Sequence, residues 1–143
     1  MKIVYATFFF LFCLLLVSGQ TASVTLDQKA EIKQTEQFSK LKALYGTASY
    51  YADKFIGRKT ATGAIYSHLK LTAACNVLPL GSWIRVTNLR NNKAVVVQVN
   101  DRLHPKNMRI VDMSRMAAEQ LGYLSRGLTQ VKVEVLGTKK AKK

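Results

Sequence analysis

Three stretches of apolar and polar alternation constrain this chain more than any other feature. They are Trp83 to Leu89, Lys93 to Asn100 and Thr129 to Leu136. In the first, Ile84 and Val86 share a face. In the second, Val95, Val97 and Val99 alternate with Val96 and Gln98. In the third, Val131, Val133 and Val135 point one way while Lys132 and Glu134 point the other. A period of two sends neighbouring side chains to opposite faces, so each stretch predicts a strand with one face buried. Asn91-Asn92 is a turn signal between the first two, which predicts a hairpin. Thr47 to Tyr51 and Arg109 to Val111 read as further short strands. Leu69 to Cys75 reads as one or two helical turns, with His68 just before it, solvated. Ser114 can cap a short helix over Arg115 to Leu121, and Gly122 sits where that helix ends. Short strands joined by turns, one helix before the last strand and no βαβ rhythm predict a mainly β fold that closes into a small barrel.

Only part of the 143 residues enters that fold. Residues 1–19 read as a secretory signal: Lys2, then an apolar run through Ala6 to Val17, then small residues at Val17-Ser18-Gly19. An uncleaved anchor is the competing reading, though the run is short for a membrane span. Cleavage removes Cys13 and leaves Cys75 alone, so no internal disulfide is expected. Cys13 follows Phe10-Leu11-Phe12 rather than small residues, so lipidation is not expected either. Residues 20–45 form a polar, partly helical linker, 46–137 the compact domain and 138–143 a basic tail. The net charge of +14 favours polyanionic partners. The candidates are nucleic acid, anionic lipid and acidic cell-wall polymer; the secretory signal and the lack of a recognition motif argue against nucleic acid. No cysteine–histidine spacing suggests a metal, and no cofactor is expected.

Chemistry concentrates where the second alternating stretch ends, at Asn100-Asp101-Arg102. A carboxylate at the mouth of an apolar strand is partly desolvated and holds its proton more tightly than in water. That makes Asp101 a candidate acid near neutral pH. The competing reading pairs Asp101 with Arg102 or Arg109, or makes it a turn cap. Upstream, Phe55 to Gly63 sets basic and hydroxyl residues, Thr60 among them, between Gly57 and Gly63. This loop suits backbone contact with a ligand or serves as a plain connection.

Gly46-Thr47-Ala48-Ser49-Tyr50-Tyr51, Gly57-Arg58-Lys59-Thr60-Ala61-Thr62-Gly63, Leu71-Thr72-Ala73-Ala74, Leu78-Pro79-Leu80-Gly81, Arg85-Val86-Thr87-Asn88-Leu89, Val99-Asn100-Asp101-Arg102 and Arg109-Ile110-Val111-Asp112-Met113-Ser114 occur in this order. Together they closely resemble the rare lipoprotein A (RlpA) family across Gly46 to Gly137. The resemblance implies a six-stranded double-psi β-barrel with one or two short helices. It also implies a periplasmic or secreted lytic transglycosylase. Such an enzyme acts on peptidoglycan strands stripped of stem peptides, cuts between N-acetylmuramic acid and N-acetylglucosamine, and leaves a 1,6-anhydro end. By the same resemblance Asp101 is the catalytic acid, held or oriented by Asn100 and Arg102. Tyr50 and Tyr51 offer a flat surface to sugar rings.

The chain departs from the family pattern at three places. Ala64 stands where a glutamate usually follows Thr-Ala-x-Gly, and Cys75 where a histidine usually follows Thr-Ala-Ala. Both absent groups are implicated in family activity. Leu103-His104 replaces the usual Gly-Pro after Asn-Asp-Arg. Two substitutes offer themselves: His104 as an imidazole or else a solvent-facing histidine, and Cys75 as a reactive thiol or else a buried inert one. The alternative function is a catalytically impaired peptidoglycan-binding or expansin-like module that remodels the wall without cutting it.

Overall fold

The computed structural model describes residues 43–138 together with Lys29 and Lys33, which are helical. The expected signal segment, Cys13 and the tail from Lys139 lie outside the described residues. Six strands follow in order: β1 (Leu44–Tyr50), β2 (Thr72–Ala74), β3 (Trp83–Asn88), β4 (Ala94–Asp101), β5 (Val111–Met113) and β6 (Thr129–Gly137). Helix α1 (Arg115–Gln120) precedes β6, and a single 3-10 turn spans Asp53–Phe55.

The strands close in the order β1-β5-β2-β4-β3-β6. β1 runs parallel to β5 and β2 parallel to β4, whereas the other four pairings are antiparallel. Closure leaves no open sheet edge. The expected six-stranded barrel is the one observed.

Alternation decides what fills the barrel. Val97, Val99, Ile84, Val86, Val131 and Val133 from β3, β4 and β6 are buried together with Val111 and Met113 of β5. Their partners Arg85 and Val96 lie outside. Asn92 takes a left-handed φ of 59° and closes the β3–β4 hairpin, donating its N–H to the Asn88 carbonyl. Asparagine tolerates that conformation better than most residues. Ser114 caps α1 by accepting from the Ala117 N–H, and the helix buries Ala117 and Ala118 against the core.

One sequence expectation is overturned. Thr72–Ala74 is not helical but forms β2, inserted between β4 and β5. Three small residues carry no periodicity of their own, so pairing on both sides sets their conformation. β5 also begins later than expected, at Val111, and Arg109 lies ahead of it.

Gly46 of β1 packs closely against Ile110, just ahead of β5. A Cβ on Gly46 would stand 2.9 Å from the Ile110 Cβ. Gly46→Ala is therefore expected to cost about 1–3 kcal/mol, the range for overpacking. Chemical denaturation checks this. A Gly46→Ala, Ile110→Ala double variant should lose less than the sum of its single changes.

Candidate active site

At the C-terminal end of β4 the barrel opens into a groove of about 640 Å³. Its floor is set by strand register. Ala74 of β2 pairs with Asp101 on one side and with Asp112 on the other. Two carboxylates thus flank one alanine at the same level, with backbones roughly 10 Å apart at two strand spacings. Both line the groove.

Asp101 is fixed by donors. Its Oδ1 accepts from the backbone N–H groups of Ala61 and Arg102, each at 2.8 Å, and Oδ2 accepts from the Tyr51 hydroxyl at 2.7 Å. A carboxylate has about four acceptor positions, so with two on Oδ1 and one on Oδ2 the position left open is on Oδ2. The Ala61 contact explains the loop from Phe55 to Gly63. That loop folds back on itself through Thr60 and Ala64, whose backbone N–H and carbonyl meet at 2.8 Å, and so delivers the Ala61 N–H to Asp101.

Asp112 has a different partner. Arg109 donates to it through Nε at 2.7 Å and Nη2 at 2.9 Å, a two-pronged fork. That bond raises the guanidinium above its ordinary range against an opposing effect of burial. Arg109 is thereby spoken for, and its pairing with Asp101 does not occur.

The Arg102 side chain also turns away from Asp101. Its Nη1 donates to the carbonyls of Cys75 and Leu78, the latter at 2.7 Å. The backbone of Arg102, not its guanidinium, holds the acid. Cys75 is buried and donates its own N–H to the Asp101 carbonyl.

The other sequence candidates divide. Tyr50, Tyr51 and His104 line the groove with Asp101 and Arg102. Tyr50 donates its hydroxyl to the Leu124 carbonyl and sets its ring edge-on to Tyr123. His104 is exposed on the rim, and its Nδ1 accepts from the Lys106 N–H. Thr60 and Asn100 are not among the residues that line the groove. Thr60 is buried with its hydroxyl on the Ala64 carbonyl, and the Asn100 carbonyl accepts from the Thr62 N–H.

Lys54 and Arg58 lie 5.3 and 5.5 Å from the Phe55 ring centre, and all three line the groove together with Lys59. An aromatic face bordered by cations suits a sugar ring that carries acidic groups.

Sequence reasoning missed Asp112 as a groove residue, although its i,i+3 spacing from Arg109 was a usable signal. It also missed His68. Far from solvated, that side chain is 15% exposed and lies between Tyr66 and Asp53. The Tyr66 and Asp53 contacts come from loops, so no periodicity announces them.

Three phenols are held above their ordinary value, those of Tyr51, Tyr66 and Tyr123. Burial is the first cause for both Tyr51 and Tyr123; the Asp101 hydrogen bond adds to it at Tyr51, and the Asp112 charge at Tyr123. As pH rises, the unfolded chain releases these protons before the folded one does. Their stabilising contribution is complete below the ordinary tyrosine value of about 10 and is lost above it. In an ultraviolet titration Tyr51 and Tyr123, the two phenols raised furthest, should stay protonated until alkaline unfolding, then ionise with loss of the near-ultraviolet dichroism.

Comparison with known proteins follows the geometry. Residues 44–133 match the family model described as lytic transglycolase. The endolytic peptidoglycan transglycosylase RlpA of Haemophilus influenzae is 48% identical over 91 residues, covering 64% of this chain and 32% of that protein. Its namesake from Neisseria meningitidis is 43% identical over 108 residues, covering 76% and 41%. The match thus spans about a third to two fifths of the length of these relatives. Among solved structures, the Streptomyces papain inhibitor superposes with a TM-score of 0.52 at 21% identity, covering 65% of this chain and 94% of that one. A mutant Clavibacter michiganensis expansin in complex with cellohexaose gives 0.53 at 17%, covering 70% and 53%. At such identities these two report the fold alone. The family match extends over well over half of the residues, and the chain belongs to the lytic transglycolase family.

Proposed function

We propose that this protein cleaves peptidoglycan glycan strands lacking stem peptides, outside the cytoplasm, between N-acetylmuramic acid and N-acetylglucosamine. The observation that carries this reading is Asp101, held in the groove by two backbone N–H groups and the Tyr51 hydroxyl with one lone pair of Oδ2 left open. The names of the relatives support it.

The reaction needs no water. The bond from C1 of the muramic sugar to the leaving O4 breaks, the same sugar's O6 closes on C1, and one proton passes from O6 to O4. Ordinary glycosidases divide such work between two carboxyls. Here Asp101 carries the proton: Oδ2 gives it to O4 at departure and recovers one from the C6 hydroxyl. Oδ1 stays anchored by Ala61 and Arg102. Arg109 neutralises Asp112 at the same level, so Asp101 does not face a second bare carboxylate. Lys54, Arg58 and Phe55 receive the strand, with Tyr50, Tyr51 and His104 along its path.

Ala64 and Cys75 favour a second reading, a wall-binding module without turnover, because two groups implicated in family activity are missing. Incubation with sacculi stripped of stem peptides separates the two. Release of anhydro-ended fragments, read by mass spectrometry, is expected. Sedimentation with sacculi but no fragments would establish the binding module instead.

A further inference from the structure

From Tyr66, which lines the groove, three polar side chains make a connected line that the reaction above does not use. The Tyr66 hydroxyl meets His68 Nδ1 at 2.8 Å, and His68 Nε2 meets Asp53 Oδ1 at 2.8 Å. In the neutral ring, Nδ1 accepts from the phenol and Nε2–H donates to the carboxylate, a tautomer assigned from these partners. Burial raises the Tyr66 phenol, which keeps it a donor, while the His68 bond lowers Asp53 and keeps it an acceptor. The line is moored at His68 and at Tyr66. Met116 of α1 donates its N–H to the His68 carbonyl, and the Tyr66 backbone exchanges bonds with Arg58 and Gly57.

The line ends on one ring. Tyr66 is 3% exposed, and its ring lies 4.3 Å from that of Tyr51 at 30°. Phe55 closes on Tyr51 edge-on at 5.5 Å. Held between them, Tyr51 directs its hydroxyl at Asp101 Oδ2. A phenylalanine at position 66 would fill the same space with no buried hydroxyl to satisfy. The chain instead spends a histidine and an aspartate on fixing that ring.

We infer that Asp53, His68 and Tyr66 are positioning residues for Asp101, acting through the Tyr51 ring. The inference rests on the proposed role of Asp101 as proton carrier. A ring that tilts carries its hydroxyl off Oδ2, and the carboxyl loses the donor that sets its direction.

The test uses the protein with His68→Leu, which breaks the line, and His68→Asn, whose side-chain oxygen can replace Nδ1 as the acceptor for Tyr66. His68→Leu should lower kcat on stripped glycan about tenfold with KM within about twofold, the mark of misplaced geometry. His68→Asn should recover most of the loss. In a Tyr51→Phe background His68→Leu should add nothing, because the line then has no hydroxyl to direct. A purely structural role predicts additive losses in both backgrounds and overturns the inference. A readout independent of cleavage is the NMR signal of Tyr51 in protein labelled at the tyrosine phenolic carbon, identified by its absence in Tyr51→Phe. His68→Leu should shift it. If the wild type cleaves nothing but the shift occurs, the transglycosylase reading fails and the positioning line stands. An unmoved Tyr51 signal overturns the line whatever the cleavage result.

Discussion

Asp101→Asn is expected to lower the release of anhydro-ended glycan fragments by about a hundredfold or more, the usual scale for losing a positioned acid–base group. The substitution keeps the side-chain shape. Its remaining oxygen can still accept from Ala61 and Arg102, both bonded to Oδ1 in the structure. What it loses is the group on the other branch that can gain and release a proton. Sedimentation with sacculi should therefore be unchanged while the initial rate collapses.

Asn88→Leu is expected to produce the largest loss of stability. Asn88 is 1% exposed at the end of β3. Its Nδ2 donates to the Leu121 carbonyl at 2.9 Å, and its Oδ1 accepts from the Thr129 hydroxyl at 2.8 Å and from the Arg90 N–H at 3.0 Å. One side chain thus ties the end of α1, the start of β6 and the hairpin turn together. Leucine fills the volume and leaves two donors without partners. An unsatisfied buried donor costs about 1–3 kcal/mol, so a loss of about 3 kcal/mol is expected as a lower urea midpoint at unchanged slope. Adding Thr129→Val should return part of it by removing one orphaned hydroxyl. Asn88 lies beside Lys93, at the other end of β4 from Asp101 and roughly 25 Å along the strand. The cleavage rate per folded molecule should therefore survive.

The contrast between these residues shows how much was legible in the sequence. β3, β4 and β6 announce themselves because each keeps one face in the barrel and one outside, and Val97, Val99 and Val133 fall where alternation puts them. The hairpin at Asn92 and the Ser114 cap are local chemistry and were equally readable. Asp101 stood out because a long apolar strand ends on it. β2 was not readable. Thr72, Ala73 and Ala74 are flanked on both sides by strands distant in sequence, so no local period marks them. The same three residues hide the site's second half. Asp112 enters the groove only because Ala74 pairs with it and with Asp101, a register that exists only once the barrel closes. Arg102 misled for a related reason. Its place beside Asp101 suggests a side-chain pair, yet the extended backbone sends the guanidinium to the carbonyls of Cys75 and Leu78.

Digestion of stripped glycan strands in water enriched in oxygen-18 puts the central claim to its most direct test. If Asp101 passes a proton from O6 to O4 while O6 closes on C1, every new muramic end is a 1,6-anhydro ring and carries no heavy oxygen. New reducing ends labelled with oxygen-18 would mean that water, not the sugar's own hydroxyl, is the nucleophile, and would contradict the account.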